Sequence, residues 1–284
     1  MTYRRRMWQA TSWLAWKGGA PAPWHLAALD EAYALMDEGR FEEAEARAGA
    51  LVTARKSRRG RDRRPGTLWL AAYVAARAAR AHGRQEPSLL AEFEALITEA
   101  EQTYDIHHNL LLPARLNRAW VLIDEERPAE AEAEARDVLR ALARRAQPVA
   151  DKKFELSALI CLGHALCEQG HHEEAETIAR AHLPRADKGV VPPLRTLLSR
   201  SLSGLGRYEE ALAESLETLP EPLPQAAGHL ELHRATALHA LGRSDEARAE
   251  AGRALAACER YLHPEHPRTA AIRALLSRIT PPQP

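Results

Sequence analysis

The apolar positions along this chain recur at the spacing of amphipathic helices. In LSALICLGHALCEQ (Leu156–Gln169) a helical stretch runs up to a glycine, and TAAIRALLSRI (Thr269–Ile279) places its apolar residues in one stripe. No further helical stretch follows Ile279 to pack against that stripe. The pattern therefore predicts an all-α protein whose last helix, Thr269–Ile279, caps the array.

A short phrase recurs between these helical stretches. It is written GRFEEA, GHHEEA, GRYEEA and GRSDEA, with worn copies GRQEP and ERPAEA, and its copies begin at Gly39, Gly83, Glu126, Gly170, Gly206 and Gly242. The first positions lie 44, 43, 44, 36 and 36 residues apart. Recurrence at this period is typical of a solenoid of stacked helix pairs, which usually serves as a binding surface.

Each residue of the phrase has a physical role at a turn between two helices. Glycine provides the left-handed conformation that ends the first helix, and the acidic pair favours the positive end of the second. The alanine is small enough for the two helices to lie close together, so we expect Ala44, Ala175, Ala211 and Ala247 to be buried. In the copy that lacks glycine, Pro128 fits the first turn of the second helix.

These features resemble the tetratricopeptide repeat family. The matching residues are Leu162-Gly163, Gly170, Ala175 and Pro184 in repeat four, Leu198-Ser199, Gly206, Tyr208, Ala211 and Pro220 in repeat five, and Phe41 and Ala44 in repeat one. Repeat two keeps little beyond Gly83, and repeat three lacks the glycine. The resemblance implies a right-handed superhelical solenoid of about six helix pairs plus a C-terminal capping helix, over residues 25–279.

The longer spacing of the first repeats resembles the kinesin-light-chain subtype of that family. The stretch LHPEHPRTAA at Leu262–Ala271 is similar to the HPxT link of the same subtype. We therefore expect longer helices in the N-terminal half.

Two segments lie outside the repeats. Residues 1–24 hold Trp8, Trp13, Trp16 and Trp24 after a basic start, and residues 280–284 form a proline-rich tail. The N-terminal segment leaves three alternatives open: a cap on the first repeat, a docking site for a partner, or a foothold on a membrane surface.

The link RKSRRGRDRR at residues 55–64 is strongly basic. It could be a solvated connection, a contact for an acidic partner, or a phosphate contact. No aromatic residue lies among its charges to stack on bases, and the whole chain has a formal net charge of zero. We therefore expect no nucleic-acid partner.

The amino-acid composition indicates the cellular compartment and the kind of genome. The three cysteines form no disulfide framework, and no apolar run approaches the 18 residues that a membrane span requires. The simplest location is the cytoplasm. The basic residues are mostly arginine, which favours a bacterial genome rich in GC.

The sequence offers little chemistry for catalysis. It contains no Gly-rich phosphate loop, HExxH or GxSxG motif. The cluster His171-His172-Glu173-Glu174 falls at a turn, and His229 and His233, four apart on a helix, lack a third metal ligand. We expect no enzyme activity, no cofactor and no metal.

The candidate site is the groove that the resemblance implies, lined by the first helix of each pair. The positions carried over are Tyr73, Arg77 and Arg80; Leu116, Asn117, Trp120 and Asp124; Ile160, His164 and Cys167; Thr196 and Arg200; and Leu232, Thr236 and His239. Three arginines and one carboxylate make this set basic, with Tyr73 and Trp120 as aromatic anchors. Such a surface suits an acidic peptide or a C-terminal carboxylate, although side chains on this face could also simply be solvated.

We therefore expect a non-catalytic scaffold or adaptor that binds a peptide or protein segment in its concave groove. Of the clamp residues used by chaperone-binding members, only Asn117 has a counterpart, so we predict no chaperone partner. Two alternatives remain: a regulator that responds to a peptide, and an auxiliary subunit that docks to an enzyme or membrane machine through the N-terminal segment.

Overall fold

The computed structural model describes residues 23–56, 65–83, 88–103, 111–144, 148–187, 189–216 and 224–279. The predictions for residues 1–22, for most of the basic link and for the tail 280–284 lie outside these ranges. The chain divides into two compact units, Met1–Leu96 and Ile97–Pro284.

Thirteen α-helices make up most of the described residues, none of which lies in a strand. They are α1 (Pro23–Asp37), α2 (Phe41–Lys56), α3 (Pro65–His82), α4 (Ser88–Thr103), α5 (Leu111–Asp124), α6 (Pro128–Ala143), α7 (Pro148–Glu168), α8 (His172–His182), α9 (Val191–Gly204), α10 (Tyr208–Leu216), α11 (His229–Ala240), α12 (Ser244–Tyr261) and α13 (Pro267–Ile279). Short 3₁₀ turns lie at Leu183–Arg185 and Pro224–Ala226.

The helices are arranged as successive pairs followed by one closing helix, α13. In the second unit α5 packs on α6, α7 on α8, α9 on α10 and α11 on α12, and each first helix also packs on the first helix of the next pair. In the first unit α1 packs on α2 and on α3. The predicted all-α architecture of helix pairs with a C-terminal helix is therefore confirmed.

The wide spacing of the early repeats arises in part from longer helices, but long helices are not confined to the N-terminal half, since α12 has 18 residues. The helices α2, α3, α6 and α7 have 16, 18, 16 and 21 residues, whereas α8 and α10 have 11 and 9. Pro128 is the first residue of α6, where its missing N–H leaves no helix bond unmade.

The turn phrase has one backbone conformation at every copy. Its first residue has a positive φ at Gly39, Gly83, Glu126, Gly170, Gly206 and Gly242, between 59° and 91°. At five copies the next residue donates its backbone N–H to the carbonyl of a leucine five positions earlier, at 2.8–2.9 Å. This is the Schellman arrangement, which satisfies carbonyls that the end of a helix leaves open.

Glu126 is the exception in sequence but not in conformation. Its φ is 59°, and Arg127 donates its N–H to the Leu122 carbonyl at 2.8 Å, as in the glycine copies. A residue with a Cβ is strained in this region by about 1–2 kcal/mol. Repeat three thus keeps the turn at a cost in stability that the other copies avoid.

Arginine and glutamate close four of the turns. Arg40, Arg127, Arg207 and Arg243 each form a two-pronged hydrogen bond with the glutamate three residues later, at 2.6–2.8 Å. The arginine hydrogen bond lowers the pKa of Glu43, Glu130, Glu210 and Glu246. These pairs are solvent-exposed, so they define the turn more than they stabilise the fold.

The alanine of the phrase marks the closest approach of the two helices. Ala44, Ala175, Ala211 and Ala247 are 0% exposed, as predicted, and Ala131 of repeat three is also 0% exposed. Ser199 on α9 donates its hydroxyl to the Ala211 carbonyl on α10 at 3.0 Å. Because these alanines are fully buried between packed helices, a longer side chain would have to displace its neighbours.

A carboxylate eight residues after the turn residue is bound by arginine of the first helix in three pairs. The contacts are Arg118–Glu134 at 3.3 Å, Arg195–Glu214 at 2.6 Å and Arg234–Glu250 at 3.3 Å. Burial raises the pKa of Glu134, while Arg118 and Arg115 act to lower it. These pairs align the second helix with the first in the second unit.

No helix among the described residues is long and apolar enough to cross a lipid bilayer.

The strained turn gives a testable asymmetry. We expect Glu126→Gly to raise the free energy of unfolding by about 1 kcal/mol, because glycine adopts positive φ without strain. Gly206→Ala should lower it by a similar amount, since a Cβ at Gly206 meets nothing within 4 Å and the cost is purely conformational.

Urea denaturation measures both changes in the free energy of unfolding. Glu125→Gly, at the preceding exposed position, is the control and should not stabilise; equal stabilisation by both glycines would contradict the strain at Glu126.

The helix contact at Ala211 gives a second prediction. Ala211→Leu should overpack α9 against α10 and cost roughly 1–3 kcal/mol. Ala213→Leu is a matched control, because Ala213 lies in the same helix but is exposed. Thermal melting should show a loss for the first variant alone, and equal melting temperatures would contradict the assigned contact.

Candidate functional site

One position of the first helices links neighbouring repeats. The residues six before the turn residue are Tyr33, Arg77, Trp120, His164, Arg200 and Thr236, and we call them the minus-six row. Because first helices pack on one another within each unit, side chains at this shared position can meet their counterparts in the next repeat. Five of the six belong to the groove set proposed from the sequence.

In the first unit the row forms a cation–π contact. The Arg77 guanidinium on α3 lies 5.8 Å from the centre of the Tyr33 ring on α1. Arg80, one turn further along α3, is half-buried.

Tyr73 differs from its expected role as an exposed anchor. It is 6% exposed and stacks on Trp69 with ring centres 5.5 Å apart. Trp69 in turn donates its Nε1–H to the Leu96 carbonyl at 2.7 Å. Tyr73 is therefore buried beside a tryptophan that is bonded to α4, and it presents little surface to a ligand.

In the second unit the row continues through three helices. The Trp120 ring on α5 lies 5.2 Å from the His164 ring on α7. The Arg200 guanidinium on α9 bonds His164 Nδ1 at 3.1 Å and Glu168 Oε1 at 2.5 Å. Since arginine only donates, Nδ1 of His164 accepts, and the proton of the neutral imidazole lies on Nε2.

Two further histidines extend this cluster. The His229 ring stacks on His164 at 5.4 Å, and the His233 ring lies 5.1 Å from His229. We call His164, His229 and His233 the histidine stack. This third imidazole is not visible beside His229 and His233 in the sequence, because His164 lies 65 residues before His229 and only the folded chain brings it close.

The histidine stack is electrically neutral at neutral pH. Burial lowers the pKa of His164 and His229 well below the usual value, and the positive charges of Arg200 and Arg268 lower both further. Burial, followed by Arg200 and Arg268, lowers the pKa of His233 to about 3. Despite the three imidazoles, no group of three metal-ligating side chains among the described residues is arranged to hold an ion.

Most of the remaining members of the groove set bond locally or are buried, although Asp124 is exposed and Leu232 is half-buried. Asn117 is 8% exposed and donates to the Pro113 carbonyl at 2.8 Å, and Thr236 donates to the Leu232 carbonyl at 2.8 Å. His239 is half-buried, and its Nδ1 has no hydrogen-bond partner within the part of the chain that the structure describes. Leu116, Ile160, Cys167 and Thr196 are buried, and burial raises the pKa of the Cys167 thiol to about 11.

The set therefore separates by exposure. Tyr73, Asn117 and His164 are buried, whereas Trp120 and Arg200 keep part of their surface. Glu168 adds a carboxylate that sequence reasoning missed, so Asp124 is not the only acidic group on these helices. The role of these residues in ligand binding stays a prediction.

The fold has relatives among solved structures. No protein-family model matches the chain, and no curated protein matches it in sequence. The crystal structure of the apo form of RapI has a TM-score of 0.53 at 12% identity, covering 90% of this chain and 70% of that chain. A Rap protein complexed with competence and sporulation factor has a TM-score of 0.55 at 11% identity, covering 91% and 86%. At these identities the likeness shows the shared fold: successive helix pairs of the kind that tetratricopeptide repeats form.

Proposed function

We propose that this chain is a non-catalytic scaffold that binds a peptide or protein segment on the face formed by the first helices of its second unit. The observation that supports it is the minus-six row, where Trp120, His164 and Arg200 make contact across three helices at one repeat position. A solenoid positions such a row for contact with an extended ligand.

Two partly exposed members of the row, Trp120 and Arg200, have the chemistry of binding hot spots. Tryptophan and arginine are the residue types that most often dominate binding energy, and Trp120 and Arg200 lie on either side of His164. Arg200 is already paired with Glu168. An acidic group of a ligand would therefore replace Glu168 on the guanidinium, which favours a carboxylate over a neutral partner.

A second candidate is a regulator that responds to a bound peptide. One similar structure is that of a Rap protein complexed with competence and sporulation factor, so a related fold is known in a complex.

We also infer a cytoplasmic location, because all three cysteines are free and buried. The long early helices, together with the HPxT-like link before α13, support an assignment to the kinesin-light-chain-like subtype.

The proposal is tested by selecting ligands from a random peptide library displayed on phage. Peptides enriched by the wild-type chain should contain Asp or Glu beside an apolar residue. Their binding, measured by fluorescence anisotropy, should weaken at high salt through loss of the arginine contribution. Trp120→Ala should weaken it by about 2 kcal/mol or more, and Arg200→Ala should also reduce the salt dependence.

Two controls locate the site. Arg243→Ala removes an exposed turn arginine paired with Glu246 and should leave binding unchanged. A variant that replaces Arg58, Arg59, Arg63 and Arg64 by alanine tests the basic link. Normal binding by both row variants, with loss in the link variant, would show that the link is the site instead.

A further inference from the structure

The histidine stack joins two helices that are not neighbours in the array. His164 belongs to α7 and His229 to α11, and α9 packs against both of these helices. Their rings nevertheless lie 5.4 Å apart with 26° between their planes. The contact therefore requires the first helices of the second unit to curve toward one another across α9.

The packing around the stack contains positive charge and little negative charge. Arg200 from α9 bonds His164, and its other nitrogen binds Glu168 of α7. Arg268 from α13 donates to the carbonyls of Gln225 and Ala227, just before α11. From α5 the stack meets the uncharged ring of Trp120.

Protonation of the imidazoles would place positive charges next to one another and next to the Arg200 guanidinium. An imidazolium at His164 would face the Arg200 guanidinium at Nδ1 and lose that hydrogen bond. A second imidazolium at His229 would lie directly against it. His164 is 3% exposed, whereas His229 and His233 are half-buried, so the cost of holding a charge away from water is greatest at His164. Together with the charge repulsion, this cost favours opening of the protonated stack.

We propose that the histidine stack is an acid-released latch: it holds α11 against α7 at neutral pH and separates when its imidazoles are protonated in mild acid. The opening itself is independent of ligand. Its consequence, a change in the shape of the binding face, rests on the proposed function.

The direction in pH follows from the lowered pKa values. In the separated or unfolded state the histidines have a pKa of about 6.5. In the closed stack their pKa values are lower, so the closed stack binds protons only at lower pH. The stack therefore stabilises the closed state fully above about pH 6.5, and this stabilisation decreases as the pH falls below that value. Each histidine can reduce the ratio of closed to open molecules up to about tenfold per pH unit in that window.

Distance measurements between spin labels test the latch. Labels at Glu155→Cys on α7 and Ala240→Cys on α11 replace exposed side chains, while Cys161, Cys167 and Cys258 are buried and should escape labelling. Double electron–electron resonance at pH 7.5 should give one distance distribution. At pH 5.5 a second, longer population should appear; an unchanged distribution would overturn the proposal.

Two controls distinguish the latch from general acid unfolding. Labels at Glu155→Cys and Glu173→Cys lie on α7 and α8 of one pair and should keep their distance at pH 5.5. His164→Phe/His229→Phe/His233→Phe keeps aromatic rings that cannot titrate and should abolish the response. A change in the α7–α8 distance, or an unaltered response in this variant, would contradict the latch.

If the triple variant does not fold, a single substitution and a direct titration of the histidines can still test the latch. His233→Phe alone should reduce the longer population at pH 5.5. In the unlabelled protein, imidazole carbon–proton NMR should show three of the histidines titrating below the rest. Three stack histidines that titrate near pH 6.5 with no change in label distance would also refute the proposal.

Discussion

The helix pairs depend on one backbone conformation, the left-handed residue that ends each first helix. All six turn residues in the described chain have it, and five are glycine. In five of the six copies the following N–H reaches the leucine carbonyl five residues back, and the phrase alanine donates to the carbonyl of the residue just after the turn residue. These bonds restrict the path of the chain from one helix to the next, and the alanine is fully buried in all five copies that have it. Glu126 shows the strength of the constraint, since the turn persists without the residue that suits it.

A fixed turn also fixes which residues face the next repeat. Counting back six positions from the left-handed residue reaches the same side of every first helix, because the turn sets the rotation of that helix about its axis. The contacts of Arg77 with Tyr33 and of His164 with both Trp120 and Arg200 all fall at this position. The chemistry of the candidate site is thus a consequence of the turn, repeated along the chain, and not of a local motif.

Local rules were sufficient for the turns and the buried alanines. Their determinants lie within about ten residues, where backbone geometry leaves few alternatives. The histidine stack could not be predicted this way, since the distance from α7 to α11 depends on how three consecutive pairs curve. Gly163 illustrates this: a Cβ there would clash with Leu197 of α9, so a missing side chain sets the approach of two helices. The burial of Tyr73 was missed for a similar reason, because Trp69 stacks on it and is itself held by a hydrogen bond to Leu96 of α4.

The internal pairing of the row limits what it can bind tightly. Arg200 has partners in His164 and Glu168, and His164 has partners on three helices. A ligand that merely adds to these contacts gains little from Arg200, because its guanidinium is already bonded to His164 and Glu168. A ligand that supplies its own carboxylate to Arg200 exchanges one charged hydrogen bond for another and frees Glu168 to return to water. Net affinity must then come from area buried on Trp120 and its apolar surroundings, with the arginine selecting the charge. This division of roles follows from a neutral histidine between an aromatic ring and a guanidinium. If the row is the binding site that we propose, we expect Trp120 to contribute more binding energy than Arg200, although both are only partly exposed.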